Sequence, residues 1–349
     1  MKVVAYSIMS FEKEYLIKAN QKKHDITLIS NPLSADTVSF AEGKDAVLVF
    51  TNDDVSAPVI NQLAAKGVKY IVTRSVGTDH INKNAAYLHG IKLANVPAYS
   101  PQAIAEHTVA LALALSRRLI LADQHSHDFD FRLNELTGFN FFEKTVGLVG
   151  LGHIGLATAN IFKGMGCRVI GYDITPPEKN NLVEYVSLEQ LYQQSDIISL
   201  HAPLTPESHH LINTAAISQM KDGVMLLNTS RGGLIKTVDA LESLQSGKIG
   251  YLGLDVYEYE KGLFFEDHTG HTEHDPLLEK LLKQPNVLIT PHQAFLTKEA
   301  LQQIAAQTIK NLDLWQQEKC VGNACVCARN CRASEVQPQA VNQPIIPLP

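Results

Sequence analysis

A glycine-rich segment between two apolar runs constrains the fold of this chain more than any other feature. The run Val146–Val149 leads directly into the pattern Gly-x-Gly-x-x-Gly at 150–155, and a second run, Arg168–Tyr172, is followed by Asp173. In a strand–helix–strand unit these glycines permit a tight turn, close approach of a pyrophosphate, and packing of the helix on the strand. The helix N-terminus favours an anion because its N–H groups are unpaired. The segment therefore predicts a dinucleotide-binding unit in which Asp173 accepts hydrogen bonds from ribose hydroxyls.

Alternating strand-like and helix-like runs place this unit in a larger α/β architecture. Such alternation favours parallel sheets with helical crossovers. We expect two doubly wound parallel-sheet domains, Rossmann-like or flavodoxin-like, with an active-site cleft between them. The predicted strands are Lys2–Ser7, Ile26–Ile29, Ala46–Phe50, Tyr70–Thr73 and Lys92–Val96 in the first part, and Val146–Val149, Arg168–Tyr172, Ile197–Leu200, Val224–Asn228, Tyr251–Asp255 and Val287–Thr290 in the second.

The domain boundaries follow from breaks in this alternation. Two prolines, Pro97 and Pro101, interrupt it before a long apolar helix, and the helical pattern at 298–317 returns the chain to the first domain. We therefore expect a substrate-binding domain at 1–100 plus 297–319 and a nucleotide-binding domain at 101–296. The cysteine-rich remainder, 320–349, lacks any period and predicts a disordered tail.

Composition argues against several classes of partner and site. A net charge of −6 over 349 residues gives no reason to expect nucleic acid or an acidic membrane surface. The most apolar run, 103–121, contains Glu106 and Arg117, so it is interpreted as a buried helix, and the N-terminus as a strand. A cytoplasmic enzyme is the simplest interpretation. No metal is expected, because the spacing of Cys320, Cys325, Cys327 and Cys331 fits no zinc template, and His268, His271 and His274 lie in a glycine-interrupted, loop-like stretch.

Ionisable side chains follow three predicted strands of the second half. Arg231 lies beside two glycines, and its planar guanidinium matches a carboxylate bidentately. Glu260 and His292 follow the next two strands, and a carboxylate beside an imidazole raises its pKa and fixes its tautomer. These strand ends meet at one sheet edge, which favours a common site. A surface ion pair for Arg231 and solvated loop positions for the other two are the alternatives.

Several motifs, in this order and spacing, resemble those of the D-isomer-specific 2-hydroxyacid dehydrogenases. They are the glycine segment ending at Asp173, Asn-Thr-Ser-Arg-Gly-Gly around Arg231, Asp-Val-Tyr-Glu-Tyr-Glu ending at Glu260, and Pro-His-Gln-Ala-Phe at His292. Further motifs beginning at Arg74, Pro97 and Gly262 are similar to those of the fermentative branch that interconverts pyruvate and D-lactate. The resemblance covers residues 1–319 and stops at the cysteine-rich tail.

The resemblance implies a role for each matching position. Arg231 would bind and polarise a 2-keto acid, His292 would protonate its carbonyl oxygen, and Glu260 would keep the imidazole charged. The implied substrate-binding residues are Val76, Gly77, Tyr99, Arg231 and Phe295. The implied cofactor is NAD, bound by Gly150, Gly152, His153, Ile154, Gly155, Asp173, Ala202, Pro203, Thr229, Ser230, Arg231 and Asp255.

Two other functions compete with this assignment, and a homo-oligomer is expected alongside it. A branch acting on bulkier 2-keto acids would share the same motifs, and an NAD-sensing protein would share the fold without the chemistry. The presence of Arg231, Glu260 and His292 argues against the sensor. A homo-oligomer, dimer or tetramer, formed through the apolar helix beginning at Ala103 is the family expectation, alongside a small-molecule substrate and no nucleic acid or membrane.

Overall fold

The described residues form two compact units. The computed structural model describes residues 1–175, 181–272 and 274–327. The first unit contains residues 1–97 together with the described residues from Ala305 onward, and the second contains Ala98–Ile304. The chain thus crosses between units twice, once after Pro97 and once within its last long helix.

The first unit is built on a five-stranded parallel sheet of order β2-β1-β3-β4-β5. Its strands are apolar almost throughout because helices cover both faces, as in other parallel sheets. Val47, Val49 and Ile71 are fully buried in one of its cores. The elements are β1 Lys2–Ala5, α1 Ser10–Asn20, β2 Asp25–Leu28, β3 Ala46–Val49, α2 Ala57–Ala65, β4 Tyr70–Thr73, α3 Lys83–Leu88 and β5 Lys92–Ala94.

The second unit contains a seven-stranded parallel sheet of order β12-β11-β10-β9-β6-β7-β8. The strand order reverses at β6 and β9, the switch point at which open α/β sheets bind ligands. Its elements are α4 Pro101–Ser116, α5 Leu119–His127, β6 Thr145–Val149, α6 His153–Gly164, β7 Arg168–Tyr172, β8 Glu184–Tyr185, α7 Leu188–Gln194, β9 Ile197–Leu200, α8 Thr214–Ser218, β10 Val224–Asn228, α9 Thr237–Gln245, β11 Ile249–Leu254, α10 Pro276–Leu282 and β12 Val287–Ile289, and α11 Lys298–Gln316 leads back into the first unit.

The predicted fold class, two doubly wound parallel sheets, is confirmed. Strands β4, β7, β9 and β10 have the predicted bounds, and the other predicted strands begin and end within two residues of the observed ones. Strand β8 was not predicted, because two residues at a sheet edge are too few to show a periodic pattern.

The apolar helix α4 is buried within its own unit. Nine of its sixteen residues are buried, and Leu111 and Leu115 pack over Gly253 of β11, where a Cβ would lie 3.1 Å from Leu115 Cδ1 and 3.5 Å from Leu111 Cβ. The apolarity of α4 is therefore explained by packing inside the second unit. In the part of the chain that the structure describes, no helix is long and apolar enough to cross a membrane.

The chain beyond Lys319 requires a correction to the predicted tail. Cys325 forms an antiparallel bridge with Ala94 at the edge of β5, and Val326 N donates to Leu93 O at 3.2 Å. Val321 and Ala324 are buried against the first sheet. Residues 320–327 are thus folded, because an open strand edge offers them backbone partners that no local pattern reveals. The rest of the predicted tail, residues 328–349 with Cys331, lies outside the described residues.

This segment makes the stability of the chain sensitive to where it ends. A chain stopped after Lys319 should melt several degrees below one stopped after Cys327, because it loses the burial of Val321 and Ala324 and the hydrogen bonds to β5. These losses amount to about 2 kcal/mol. Thermal melting of the two truncated chains measures the difference, and equal melting temperatures would show that the segment contributes nothing.

Candidate functional site

The glycine loop after β6 has the geometry that a bound dinucleotide requires. Gly150 has φ +95°, and a Cβ there would lie 2.6 Å from the carbonyl group of His201. A Cβ on Gly155 would lie 2.1 Å from the Gly150 oxygen, so α6 packs directly on the loop. A Cβ on Gly152, which caps α6, would meet nothing within 4 Å. The N-terminus of α6 therefore has open space beside Gly152, and the unpaired N–H groups of such a helix end fit a pyrophosphate.

Asp173 is fixed to the glycine loop from the end of β7. Its Oδ2 accepts a hydrogen bond from Leu151 N at 2.7 Å, and its Oδ1 accepts one from Thr175 N at 2.8 Å. A carboxylate oxygen accepts more than one hydrogen bond, so both oxygens retain the capacity to accept from a diol. The position fits the ribose-binding carboxylate of this type of unit.

The loops after β9 and β10 are joined to each other. Ser230 Oγ donates to Ala202 O at 2.6 Å, and Ser208 Oγ donates to Pro203 O at 2.7 Å. Thr229 is linked through its hydroxyl to Thr108 of α4 at 2.8 Å. Three more predicted positions, His153, Ile154 and Gly155, form the first turn of α6. Ile154 packs with Ala103, Ile104, Ala294 and Tyr99.

His201 lies against the glycine loop as a neutral imidazole. Its Nε2 is 2.9 Å from Ser199 Oγ, and burial lowers its pKa to about 4. Its backbone packs directly against Gly150, so it supports the conformation of the glycine loop.

The structure brings Glu260 and His292 into direct contact. His292 Nδ1 lies 2.9 Å from Glu260 Oε1, and the other carboxylate oxygen accepts from Tyr257 N at 3.0 Å. The His292 side chain is 16% exposed and the Glu260 side chain is 26% exposed, so the pair is partly shielded from water. A carboxylate that accepts from Nδ1 fixes the tautomer and orientation of the ring and leaves its other nitrogen, Nε2, for proton exchange. Such a pair is suited to general acid–base chemistry.

Hydrogen bonds to Asp255 hold the loop that carries His292 in place. The carboxylate of Asp255 accepts from Thr290 Oγ1 at 2.6 Å, from Gln293 N at 2.8 Å and from Ala294 N at 2.9 Å. His107 of α4 adds a contact of 3.0 Å to the Thr290 hydroxyl. Asp255, which was predicted to bind cofactor, is fully buried. Thr290 and His107 gave no sequence signal, because they lie 183 residues apart.

Arg231, Tyr99 and Phe295 lie around the same strand ends in the second unit. Arg231 Nη1 donates to Ser230 O at 2.8 Å, and Asn228 Nδ2 donates to Arg231 O at 2.8 Å. Burial raises the pKa of Tyr99 to about 12, while the nearby Arg231 charge opposes and the Asp255 charge adds to this rise. Phe295 is buried one residue beyond the backbone that Asp255 holds.

Val76 and Gly77 lie in the first unit, after β4. Asn95 Nδ2 donates to Val76 O at 2.7 Å, and Ser75 Oγ donates to Gly77 O at 2.8 Å. Both carbonyl groups are thereby held in place, which orients the intervening peptide plane. The side chain of the preceding Arg74 is buried and pairs with Glu12 at 2.9 Å. The structure thus fixes the backbone of this turn on both sides.

The histidine series in the loop before α10 does not form a metal cluster in the described residues. The rings of His268 and His271 meet edge to face at 5.1 Å, and Glu273 lies outside the described ranges. Among the residues the structure describes, no group of three or more histidine, cysteine or acidic side chains is arranged to hold a metal ion.

Comparisons with known proteins agree with this geometry. The family model for the NAD-binding domain of D-isomer specific 2-hydroxyacid dehydrogenases matches residues 109–294. The D-lactate dehydrogenase of Escherichia coli (strain K12) is 45% identical over 315 residues, which is 89% of this chain and 96% of that protein. The pyruvate reductase structure of Chlamydomonas reinhardtii matches with TM-score 0.85 and 43% identity, over 93% of this chain and 98% of that one. A D-lactate dehydrogenase of Aquifex aeolicus complexed with NAD and lactic acid matches with TM-score 0.85 and 31% identity, over 94% and 100%.

The fold and the glycine loop define an NAD-binding oxidoreductase of the doubly wound α/β class. The chain belongs to the D-isomer specific 2-hydroxyacid dehydrogenase family. It is accordingly an NAD-dependent D-2-hydroxyacid dehydrogenase, and the resemblance inferred from the sequence motifs is confirmed.

Proposed function

We propose that the chain is a D-lactate dehydrogenase that reduces pyruvate to D-lactate with NADH. The observation that carries the proposal is the 2.9 Å contact of Glu260 with Nδ1 of His292, beside a loop that bears Arg231. A keto acid reduction needs one proton donor and one fixed cation, and these side chains supply both. The similarity to the Escherichia coli and Chlamydomonas reinhardtii proteins supports lactate and pyruvate as the reacting pair.

His292 acts as the general acid in this proposal. The hydride comes from the nicotinamide of bound NADH. In its imidazolium form, which Glu260 stabilises at Nδ1, His292 carries a second proton at Nε2, and it donates that proton to the keto oxygen as negative charge develops there. Glu260 stabilises the imidazolium and orients the ring, and Tyr257 N in turn holds Glu260.

Arg231 and the turn at 76–77 bind the substrate in this proposal. The guanidinium of Arg231 binds the carboxylate and polarises the adjacent carbonyl, since its fork matches two oxygens at once. The N–H groups of Val76 and Gly77 donate to a carboxylate oxygen, and the Tyr99 hydroxyl adds a hydrogen bond. Phe295 forms an apolar wall beside the C3 methyl group.

Pyruvate should be reduced with a higher kcat/KM than the branched 2-ketoisocaproate. Tyr99 and Phe295 would crowd the carbon chain, and a misfitted methylene group in such a pocket costs about 1–3 kcal/mol. Initial rates of NADH oxidation with the two acids test the function directly. A higher kcat/KM for the branched acid would favour the rival branch that acts on bulkier 2-keto acids, and binding of NADH without turnover of either acid would favour a sensor.

We further propose that the chain forms a homo-oligomer through the segment that follows α4. Between residues 119 and 142 the second unit exposes a group of large apolar side chains, whereas nine of the sixteen residues of α4 are buried. Exposed apolar clusters of this kind mark protein contacts. The group consists of Leu119, Ile120, Phe129, Phe131, Leu133 and Phe142, which are 51–85% exposed.

Substituting Phe131→Asp should shift the protein towards the monomer in sedimentation velocity. A charge at a contact that buries this ring, which is 70% exposed in the single chain, leaves a carboxylate without a partner. Leu88→Asp on α3 of the first unit serves as the control, because that side chain is 80% exposed outside the cluster. A monomeric wild-type protein at the same concentration would rule out the proposed oligomer.

A further inference from the structure

A second histidine–carboxylate pair lies beside the catalytic one. His210 Nε2 is 2.7 Å from Glu258 Oε1, and the other oxygen of Glu258 accepts from Thr237 N at 2.8 Å. The Glu258 side chain is only 7% exposed, although it sits two residues before Glu260. Nothing in the proposed chemistry uses this pair. A buried carboxylate with two aligned donors is nevertheless a fixed point in the structure.

Glu258 is ionised in spite of its burial. Burial alone would raise the pKa of Glu258, but the hydrogen bonds from Thr237 and His210 outweigh it and bring the pKa below its ordinary value. Lys236, Tyr257 and Tyr259 also interact electrostatically with this carboxylate. The charge is therefore present throughout the neutral range, and removal of a donor would leave it poorly compensated.

The backbone that carries His210 is attached to the loop that carries Arg231. His210 N donates to Gly233 O at 2.8 Å, and Ile212 N donates to Leu234 O at 2.9 Å. Ile212 and Ile235 form a parallel bridge just beyond. The segment at 210–212 is thus attached along the backbone that immediately follows Arg231.

The Arg231 loop in turn touches the loop that carries Glu260. A Cβ on Gly232 would lie 2.1 Å from the Tyr257 carbonyl group, so the two backbones are in direct contact at this point. Tyr257 is the residue whose N–H holds Glu260. Glu258 therefore lies at the junction of three loops, one with predicted cofactor positions, one with Arg231, and one with Glu260.

We propose that His210 and Glu258 are positioning residues that set the placement of Arg231 relative to the Glu260–His292 pair. The inference rests on the proposed function of Arg231, Glu260 and His292. His210 donates to Glu258 and holds the 257–260 backbone against Gly232. Since keto acid reduction requires the cation and the proton donor to reach one small substrate together, a shift of a few tenths of an ångström between these loops slows the reaction.

The test compares two adjacent histidines that differ in their contacts. His210→Leu removes the donor to Glu258 and should lower kcat/KM for pyruvate about 10- to 50-fold, with a smaller change in the KM for NADH. His210→Gln keeps an N–H donor and should remain within about threefold of wild type. His209→Leu is the matched control, because His209 is exposed and stacks on His210 at 3.8 Å without reaching Glu258. It should remain within about twofold of wild type.

The pH profile distinguishes a positioning role of His210 and Glu258 from a purely structural one. Without the bond from His210, Glu258 keeps only its bonds with Thr237 and Tyr259. The 257–260 backbone then relaxes and Glu260 stabilises the imidazolium less, so with rising pH kcat/KM for pyruvate should begin to fall at a lower pH in His210→Leu than in wild type. Loss of thermal stability with an unchanged pH profile, or kinetics equal to those of His209→Leu, would overturn the inference.

A second variant keeps the inference testable if His210→Leu does not fold. Glu258→Gln preserves the volume and the bond to Thr237 and removes the charge, and it should show the same pH shift with a smaller loss of rate. Wild-type kinetics in this variant would overturn the inference. Failure of the proposed function is distinguishable, because it would appear in the wild-type protein as an absence of pyruvate turnover. If the wild type turns over another 2-keto acid, the same comparison is made with that acid.

Discussion

His292→Gln should lower kcat for pyruvate reduction by about 10²- to 10⁴-fold while the protein still binds NADH. Glutamine retains a hydrogen-bonding group near Glu260 but cannot donate a proton to the keto oxygen, and general acid catalysis contributes this range of rate. The glycine loop and Asp173 are untouched by the substitution. Stopped-flow and steady-state rates of NADH oxidation, together with a fluorescence titration of NADH, measure the two effects separately.

Glu260→Gln provides the companion measurement, because it leaves the proton donor and removes the charge beside it. The fall of kcat/KM with rising pH belongs to the Glu260–His292 pair as a unit, and it should move to lower pH when the imidazolium loses its carboxylate. His268→Gln, in the loop before α10, controls for the loss of a partly buried loop histidine. A His292→Gln variant with near wild-type kcat would remove this residue from the proton transfer.

Arg231→Lys should lower kcat/KM for pyruvate by about 10- to 100-fold, with most of the loss specific to the keto acid rather than to NADH. An ammonium keeps the positive charge but cannot bind two oxygens in the fork geometry of a guanidinium. The loss of one charge-assisted hydrogen bond is worth about 1.5–3 kcal/mol, which corresponds to this range of rates. Separate KM values for pyruvate and NADH distinguish the two binding steps.

Arg168→Lys is the matched control for this substitution. Arg168 forms a bidentate pair with Glu184 at 2.8–3.0 Å on the exposed edge of the same sheet, at the amino end of β7. Surface pairs of this kind contribute about 0–1 kcal/mol, so Arg168→Lys should leave the kinetics unchanged. Equal losses in the two variants would mean that Arg231 acts through general stability rather than through the substrate.

The features that the sequence predicts well are those with a local cause. The glycine loop is predictable because nearby atoms leave no room for a side chain, at Gly150 and Gly155 above all. Strands β4, β7 and β10 are legible because buried parallel strands form continuous apolar runs between turn residues. The order of the strand ends then places Glu260 and His292 at one edge of the second sheet, which is where their side chains meet.

The features that the sequence does not predict depend on contacts between distant segments. The brace formed by Asp255, Thr290 and His107 joins a strand end, a turn and a helix, and none of the three residue types indicates the others. The His210–Glu258 pair has the same character, since 48 residues separate its members. Ordinary polar residues in loops acquire these functions only when the fold has brought them together.

The same dependence on distance has a consequence for how this chain folds as it is synthesised. The open edge of β5 receives its partner only when Cys325 has been made, and His24 receives Asp313, 2.9 Å away, from a helix more than 280 residues downstream. All strands of the second unit precede both of these residues in the chain. The second unit can therefore complete its sheet while the edge of the N-terminal sheet is still unpaired. In a ribosome-bound chain, the part that was synthesised first is then more exposed to aggregation than the part synthesised last.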